Sequence, residues 1–323
     1  MCVNIKAELA ELVDALDSDS SVRLELSGSS PEFRIFWQPK YYFAPCCSSI
    51  VGVENKENII LTSIKNPLIK QVRKLHRSKE RQKQNLLLIE GTNLIEAAFD
   101  ADYKLDIIFY TEQWQLSHPQ LCRKIVEKEV KTQLVDRPVL DAIATTVNPD
   151  GVVATAPRPD RKDQNLKINR LGIALERIQD PGNLGTIIRT AAATEVDGLW
   201  LSTDSVDLYS PKVLRASAGQ WFQLPIVTGA DLPQLIKQQQ QQGVQVIATT
   251  SKATQSYWDV DFSQPSLILL GNEGAGLSSE LIDLADIQIK IPLANQVESL
   301  NVAIASALLL YEARRQLSVS SNQ

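Results

Sequence analysis

The stretch that most limits the fold of this chain is 291–315, which reads IPLANQVESLNVAIASALLLYEARR. A β-like run enters it, and a polar loop holding Glu298, Ser299 and Asn301 interrupts it. An apolar helix, uncharged until Glu312, closes it. A helix so apolar around its whole circumference is expected to be buried. The loop before it then sits where a strand, a core helix and solvent meet, the place where α/β proteins usually hold a ligand.

Strand-like and helix-like segments alternate through the preceding two hundred or so residues. LLLIEG, TNLIEAAFDA, LDIIFYT, PQLCRKIVEKE, TQLV, RPVLDAIATT and GVVATAP give β-α-β-α-β-α-β. A second series follows: strand LGIALERI, helix TIIRTAAATEV, strand GLWLS, a helical region around PKVLRASAG, helix LPQLIKQQQQQ, strands VQVIATT and LILLGNEG, helix SSELIDLA and strand IQIKIPL. Such alternation predicts sheets covered by helices, an α/β fold. Between the two series PRPDRKDQNLKIN lacks apolar periodicity. The expected organisation is therefore an N-terminal extension or small accessory module at 1–56, a first α/β domain at 57–157, a linker at 158–169, a second α/β domain at 170–318 and a tail at 319–323. In the extension, Ile5 to Leu16 has helical spacing, and VRLEL and FRIFW flank SGSSPE like the arms of a hairpin.

Composition excludes several classes of function. No apolar run approaches the roughly 20 residues of a membrane span, and the first residues mix charges with aliphatics, so no membrane partner is expected and the cytoplasm is the expected compartment. Cys2, Cys46, Cys47 and Cys122 show no CxxC spacing, and the two histidines, His76 and His118, lie far from the glycine-rich loops. Neither a metal site nor a Ser/His/Asp triad is expected. The net charge is −5, yet Lys65 to Lys83 holds eight Lys or Arg against one Glu. Leu68, Ile69, Val72 and Leu75 recur there at helical spacing, leaving Lys70, Arg73, Lys74 and Arg77 outward. Charge alone makes this a solvated face; it would also suit phosphates.

Three loops carry the chemical signal. In IQDPGNLGTIIRTAA a strand is expected to end at Ile178 and a helix to start near Leu184, with Asn183 as N-cap and Arg189 six residues on. In LILLGNEGAGLS an apolar strand runs into three glycines spaced GxxGxG, which is not the GxGxxG dinucleotide fingerprint and so disfavours a nicotinamide enzyme. Glu273 lies among these glycines. The third loop is the polar one at Glu298, Ser299 and Asn301, where Ser299 reads as the N-cap of the closing helix. Taken singly, Asn183, Glu273 and Ser299 need be no more than helix caps.

In combination and in this order, NLGTIIR, LLGNEGAGL and IP followed by ESLNVAIASALLLYE resemble the SpoU (TrmH) family of RNA ribose 2'-O-methyltransferases. The resemblance covers about 170 to 316 strongly. It extends upstream through LTSIKNPLIKQVRKL, LLLIEG and PDGVVATAP, which look like the family's substrate-binding domain. It implies a second domain with a deep trefoil knot and a smaller, ribosomal-protein-like first domain. S-adenosylmethionine would be bound by main-chain groups of Gly271, Ile291 and Leu300, together with Asn272 and Gly274. A homodimer with the site near its interface is also implied.

The resemblance further implies catalytic roles for Arg189, Asn183, Glu273, Ser299 and Asn301. A guanidinium is normally a donor only. Arg189 is therefore either a base assisted by a substrate phosphate or a bidentate phosphate clamp beside another proton acceptor. The implied substrate is ribosomal RNA ahead of transfer RNA, with a non-catalytic RNA-binding factor as the alternative class. An RNA partner tips the basic helix, with Lys70, Arg73, Lys74 and Arg77, towards phosphate contact. Two departures stand out: Ala192, where the family often has Asp, and Asn295, where it often has Gly.

Overall fold

The computed structural model describes residues 60–161 and 166–320. The expectations for 1–56, for Cys2, Cys46 and Cys47, for part of the linker and for 321–323 lie outside the described residues. The first series runs α1 (Pro67–Lys74), α2 (Ser78–Gln84), β1 (Leu86–Glu90), α3 (Thr92–Asp100), β2 (Ile107–Tyr110), α4 (Glu112–Ser117), α5 (Pro119–Glu127), β3 (Lys131–Leu134), α6 (Arg137–Ile143) and β4 (Val152–Pro157). The second runs β5 (Leu171–Leu175), α7 (Pro181–Ala193), β6 (Gly198–Ser202), α8 (Pro211–Ala216), β7 (Ile226–Ala230), α9 (Leu232–Gln241), β8 (Gln245–Thr249), β9 (Gln255–Ser256), β10 (Ser266–Leu270), α10 (Ser279–Leu284), β11 (Ile287–Lys290) and α11 (Val302–Ser320).

The first sheet has four strands in the order β1-β4-β2-β3, with β4 antiparallel to both its neighbours. Side chains alternate across it as the pleat requires: Leu87 and Ile89 enter one core and Leu88 the other. The basic stretch forms two helices rather than one. Asn66 caps α1, accepting from Leu68 N at 2.8 Å, and Ile69, Val72 and Leu75 are buried while Lys70, Arg73, Lys74 and Arg77 are exposed. The break comes from Arg81, which is 4% exposed and donates to the carbonyls of Leu75 and His76 at 2.7 and 3.0 Å. Those carbonyls, freed at the end of α1, take a guanidinium instead of the next turn's N–H groups. The same guanidinium pairs with Asp207 in the second series at 2.5 Å.

The second sheet has seven strands in the order β7-β6-β5-β10-β8-β11-β9, and every neighbouring pair is parallel. Its central strand β10 is buried on both faces, with Leu267 and Leu269 in one core and Ile268 and Leu270 in the other. That is the usual state of a strand between two helical layers, and it explains an unbroken apolar run. β7 and β9 extend the sheet beyond the strands expected. β5 and β10 are adjacent, and the order departs from them in opposite directions, so the loops after these two strands leave the same edge side by side at a topological switch point. β11 lies beyond β8, yet the helix that follows it packs on α7. Residues 291–301 therefore pass back over the ends of β8 and β10.

The closing helix α11 corrects the expectation of complete burial. Leu309, Leu310 and Ala313 are buried, but Ile304, Leu308 and Tyr311 are 54, 38 and 54% exposed. These three are spaced i, i+4 and i+7, one outward stripe of an otherwise core-facing helix.

Candidate active site

The first loop is built by Asp180, not Asn183. Asp180 Oδ1 accepts from Asn183 N at 2.9 Å, and Pro181 occupies the first helical position, where its missing N–H costs nothing. Strand β5 ends at Leu175 and α7 begins at Pro181, both earlier than expected. Asn183 lies inside the first turn, so its side chain is not spent on capping and reaches across to the other loops.

Asn183 Nδ2 donates to Glu273 Oε1 at 3.1 Å, and Asn183 Oδ1 accepts from Asn301 Nδ2 at 2.9 Å. Glu273 also accepts from Asp180 N at 3.0 Å, from Gln179 N at 3.2 Å and from Asn272 Nδ2 at 3.4 Å. Burial alone would raise the Glu273 carboxyl, but the Asp180 N–H, the Asn183 amide and the Gln179 N–H outweigh it and hold the group below its ordinary value. A carboxylate so supplied with donors is a weak proton acceptor; it serves as a strut between two loops. Asn301 is the cap of α11, its Oδ1 accepting from Ala303 N at 2.9 Å and Ile304 N at 3.3 Å. The Ser299 cap is thereby corrected: Ser299 is exposed, two residues too early. Three loops far apart in sequence are thus tied by one chain, Glu273 to Asn183 to Asn301. Arg189 projects to solvent from α7 with no hydrogen bond or ion pair to the described residues, so its fork of donors is uncommitted.

The second loop folds back on its own strand. Asn272 and Gly276 exchange backbone hydrogen bonds of 3.1 and 2.9 Å, and Asn272 Oδ1 accepts from Gly274 N and Ala275 N, both at 2.9 Å. Gly271 is essential to this closure, since a Cβ there would stand 2.1 Å from Gly276 C and 2.2 Å from Leu277 N. In the third loop, Ile291 and Leu300 are half-buried and residues 292–299 are exposed. Among the described residues only Val297 N, bonded to Ala294 O at 3.2 Å, is paired within that loop. The remaining main-chain donors and acceptors of 292–299 have no partner among the described residues, which leaves them available for main-chain recognition of a small ligand. Asn295 and Gln296 sit in the left-handed region at φ 56° and 59°. Asn is the non-glycine side chain that best tolerates this region, so Asn295 suits the backbone it occupies.

Comparison with known proteins decides what this geometry belongs to. A Synechocystis sp. protein described as an uncharacterized tRNA/rRNA methyltransferase is 49% identical over 256 residues, 79% of this chain and 93% of the relative. The model of the SpoU rRNA Methylase family matches residues 170–311, and that of the MRM3-like substrate binding domain matches 66–154. The chain belongs to the SpoU family. The 23S rRNA (guanosine-2'-O) methyltransferase RlmP of Bacillus subtilis is 32% identical, covering 79% of this chain and 98% of its own. Among solved structures, an AdoMet-bound rRNA methyltransferase from Sinorhizobium meliloti superposes with TM-score 0.71 at 34% identity, over 80% of this chain and 98% of the other.

In this SpoU protein one groove borders the tied loops and a second, shallower cleft lies on the first series. A groove of about 650 Å³ between α7 and α11 is lined by Asn183, Thr186, Thr190, Ile304, Leu308 and Tyr311 among others. On the first sheet, Lys70 and Lys74 of α1 face Lys83 of α2 across a shallow cleft of about 510 Å³. The sequence places Lys83 in the basic stretch and Asp180 in the turn, but marks neither Lys83 as a cleft residue, nor Asp180 as the cap, nor Arg81 as buried. Asp180 could have been found, because Asp before Pro at a helix start is a cap signal; Arg81 is indistinguishable by sequence from its solvated neighbours.

Proposed function

We propose that this chain transfers the methyl group of S-adenosylmethionine to a ribose 2'-hydroxyl of structured RNA, with 23S ribosomal RNA as the substrate class. The observation that carries the reading is the hydrogen-bond chain Glu273–Asn183–Asn301, which draws three loops to one edge of the sheet at the start of the helix that carries the exposed Arg189. When bound, S-adenosylmethionine supplies an electrophilic methyl on a sulfonium. Gly271, Ile291 and Leu300 would hold it through main-chain groups, with Asn272 and Gly274 shaping the loop. The backbone of 292–299, paired only between Val297 and Ala294, and the close return at Gly271 support that placement.

The chain's own residues then orient the nucleophile. Asn301 and Asn183 fix the loops against one another, and Ser299 lies on the same loop as a further donor and acceptor to the ribose. Arg189 pairs with an RNA phosphate bidentately and so clamps the ribose in place, and the 2'-hydroxyl proton is released to solvent water as the methyl is transferred. Lys70, Arg73, Lys74 and Arg77 contact phosphates along the RNA, and the first series, about 57–157, serves as the substrate-binding domain. The return of 291–301 over β8 and β10 supports a trefoil knot in the second. The stripe Ile304, Leu308 and Tyr311 supports a homodimer that covers α11.

Mapping of 2'-O-methyl sites in 23S rRNA and tRNA from a strain lacking the gene tests the proposal. Loss of one 23S mark, restored by the wild-type gene and not by Arg189→Ala, is the expected result. Loss of a tRNA mark alone would move the substrate class, and an unchanged pattern in both pools would overturn the proposal.

A further inference from the structure

The short helix α8, within PKVLRASAG, belongs to no part of the site so far, yet it touches both halves of the molecule. At its C-terminal end Arg215 Nη1 donates to Glu90 Oε2 at 2.7 Å and to Thr145 Oγ1 at 2.8 Å. Glu90 ends β1 with its side chain only 2% exposed, and its other oxygen accepts from Thr145 N and Oγ1 at 3.0 and 2.6 Å. At its N-terminal end Lys212 Nζ stands 3.6 Å from Asp180 Oδ2, the carboxylate that caps α7.

Two glycines bring backbones close on either side. A Cβ at Gly185 would meet Ala216 Cβ at 2.4 Å, and one at Gly219, just beyond α8, would meet Ala97 Cβ of α3 at 2.4 Å. The helix is therefore clamped to α7 on one side and to the first sheet on the other, by close packing and by charge. Its ion pair with Glu90 has every carboxylate oxygen satisfied, the condition under which a buried pair holds one geometry.

We propose that α8 is a strut that sets the register between the RNA-holding sheet and the catalytic loop, and that Arg215 and Lys212 are positioning residues for methyl transfer. This rests on the functional reading above. Arg215 fixes α8 to the end of β1; Lys212 carries that position to Asp180, and Asp180 holds Asn183 in the turn from which it reaches Glu273 and Asn301. A reacting atom displaced by 1 Å costs up to about 100-fold in rate, so a strut that slackens is visible in turnover before it is visible in binding.

The test uses the full chain. Arg215→Met alone would strand the buried Glu90 carboxylate and endanger folding, so the pair Glu90→Gln with Arg215→Met is made together, beside Lys212→Met and Lys212→Arg. The measurements are the single-turnover methyl-transfer rate, the Kd for RNA and for S-adenosylmethionine, and amide exchange at Asn183. The pair variant is expected to lose about tenfold or more in rate, equivalent to roughly 1.4 kcal/mol, with both Kd values within about twofold. Lys212→Met is expected to lose a few-fold, restored by Lys212→Arg, and Asn183 exchange is expected to quicken in the pair variant while β5 and β10 stay protected. An unchanged rate in folded variants, or weakened RNA binding at unchanged rate, would overturn the strut. Absence of methyl transfer by the wild type would instead overturn the functional reading, and the exchange measurement would still decide the strut.

Discussion

Replacing Asn301 separates its two duties. Its Oδ1 caps α11 through Ala303 N and Ile304 N, and its Nδ2 donates to Asn183. Asn301→Ala removes a cap worth about 1 kcal/mol and a neutral hydrogen bond worth about 1 kcal/mol, so stability falls by roughly 2 kcal/mol and Tm by about 4 °C for a chain of this size. Asn301→Asp keeps the cap, and a carboxylate at a helix N-terminus is favourable, so its Tm stays within about 1–2 °C of wild type. The aspartate has no donor for Asn183 Oδ1. Asn183 is left between two carboxylates, Asp at 301 and Glu273, with one amide NH₂ to share.

Loss of that link costs about 1.4 kcal/mol of positioning, or about tenfold in methyl transfer. Thermal unfolding and single-turnover transfer of labelled methyl on the two variants check this. An Asn301→Asp enzyme as fast as wild type would refute the view that the tie between the first and third loops serves the chemistry.

Gly271→Ala should abolish cofactor binding by calorimetry while leaving far-UV circular dichroism intact, because its Cβ must displace the backbone of Gly276 and Leu277. The Glu273 carboxyl is depressed below 4.5, so its stabilisation is complete above that pH and lost as pH falls through the lowered value. The Tm gap between wild type and Glu273→Gln should accordingly stay constant from pH 7 to about pH 5 and close only in stronger acid. Leu308→Glu should convert a dimer into a monomer in sedimentation experiments, since it places a charge in the exposed stripe of α11. Neutralising Arg73, Lys74 and Arg77 together should lower the slope of log K against log salt for RNA by about 2 if each contacts a phosphate.

Element types were legible where periodicity was strong, as in the pleat of LLLIE and the doubly buried SLILL. The short strand β7 was missed because its five residues lie between aromatic and Gly/Pro-rich turn signals and carry little apolar alternation. At the site, the residue types were legible but not their duties. The sequence suggests Asn183 and Ser299 as caps, whereas the caps are Asp180 and Asn301, three and two residues away. Sequence marks that a cap is near; whether an amide points along its own helix or across to another loop depends on tertiary contacts at separations of 90 and 118 residues. Arg81 is the extreme case: its partner Asp207 lies 126 residues downstream and no local pattern distinguishes it. Asn295 is the opposite, a departure from the family pattern that the backbone angle alone explains.

The tie between Asn183 and Asn301 also orders events in time. The 118 residues that separate them take roughly 6–24 s to synthesise at ordinary elongation rates. Throughout that interval α7 exists while the helix that covers it does not, so its apolar side lacks its native cover. The turn at the start of α7, the helix that carries Arg189, acquires its final shape only when the third loop arrives.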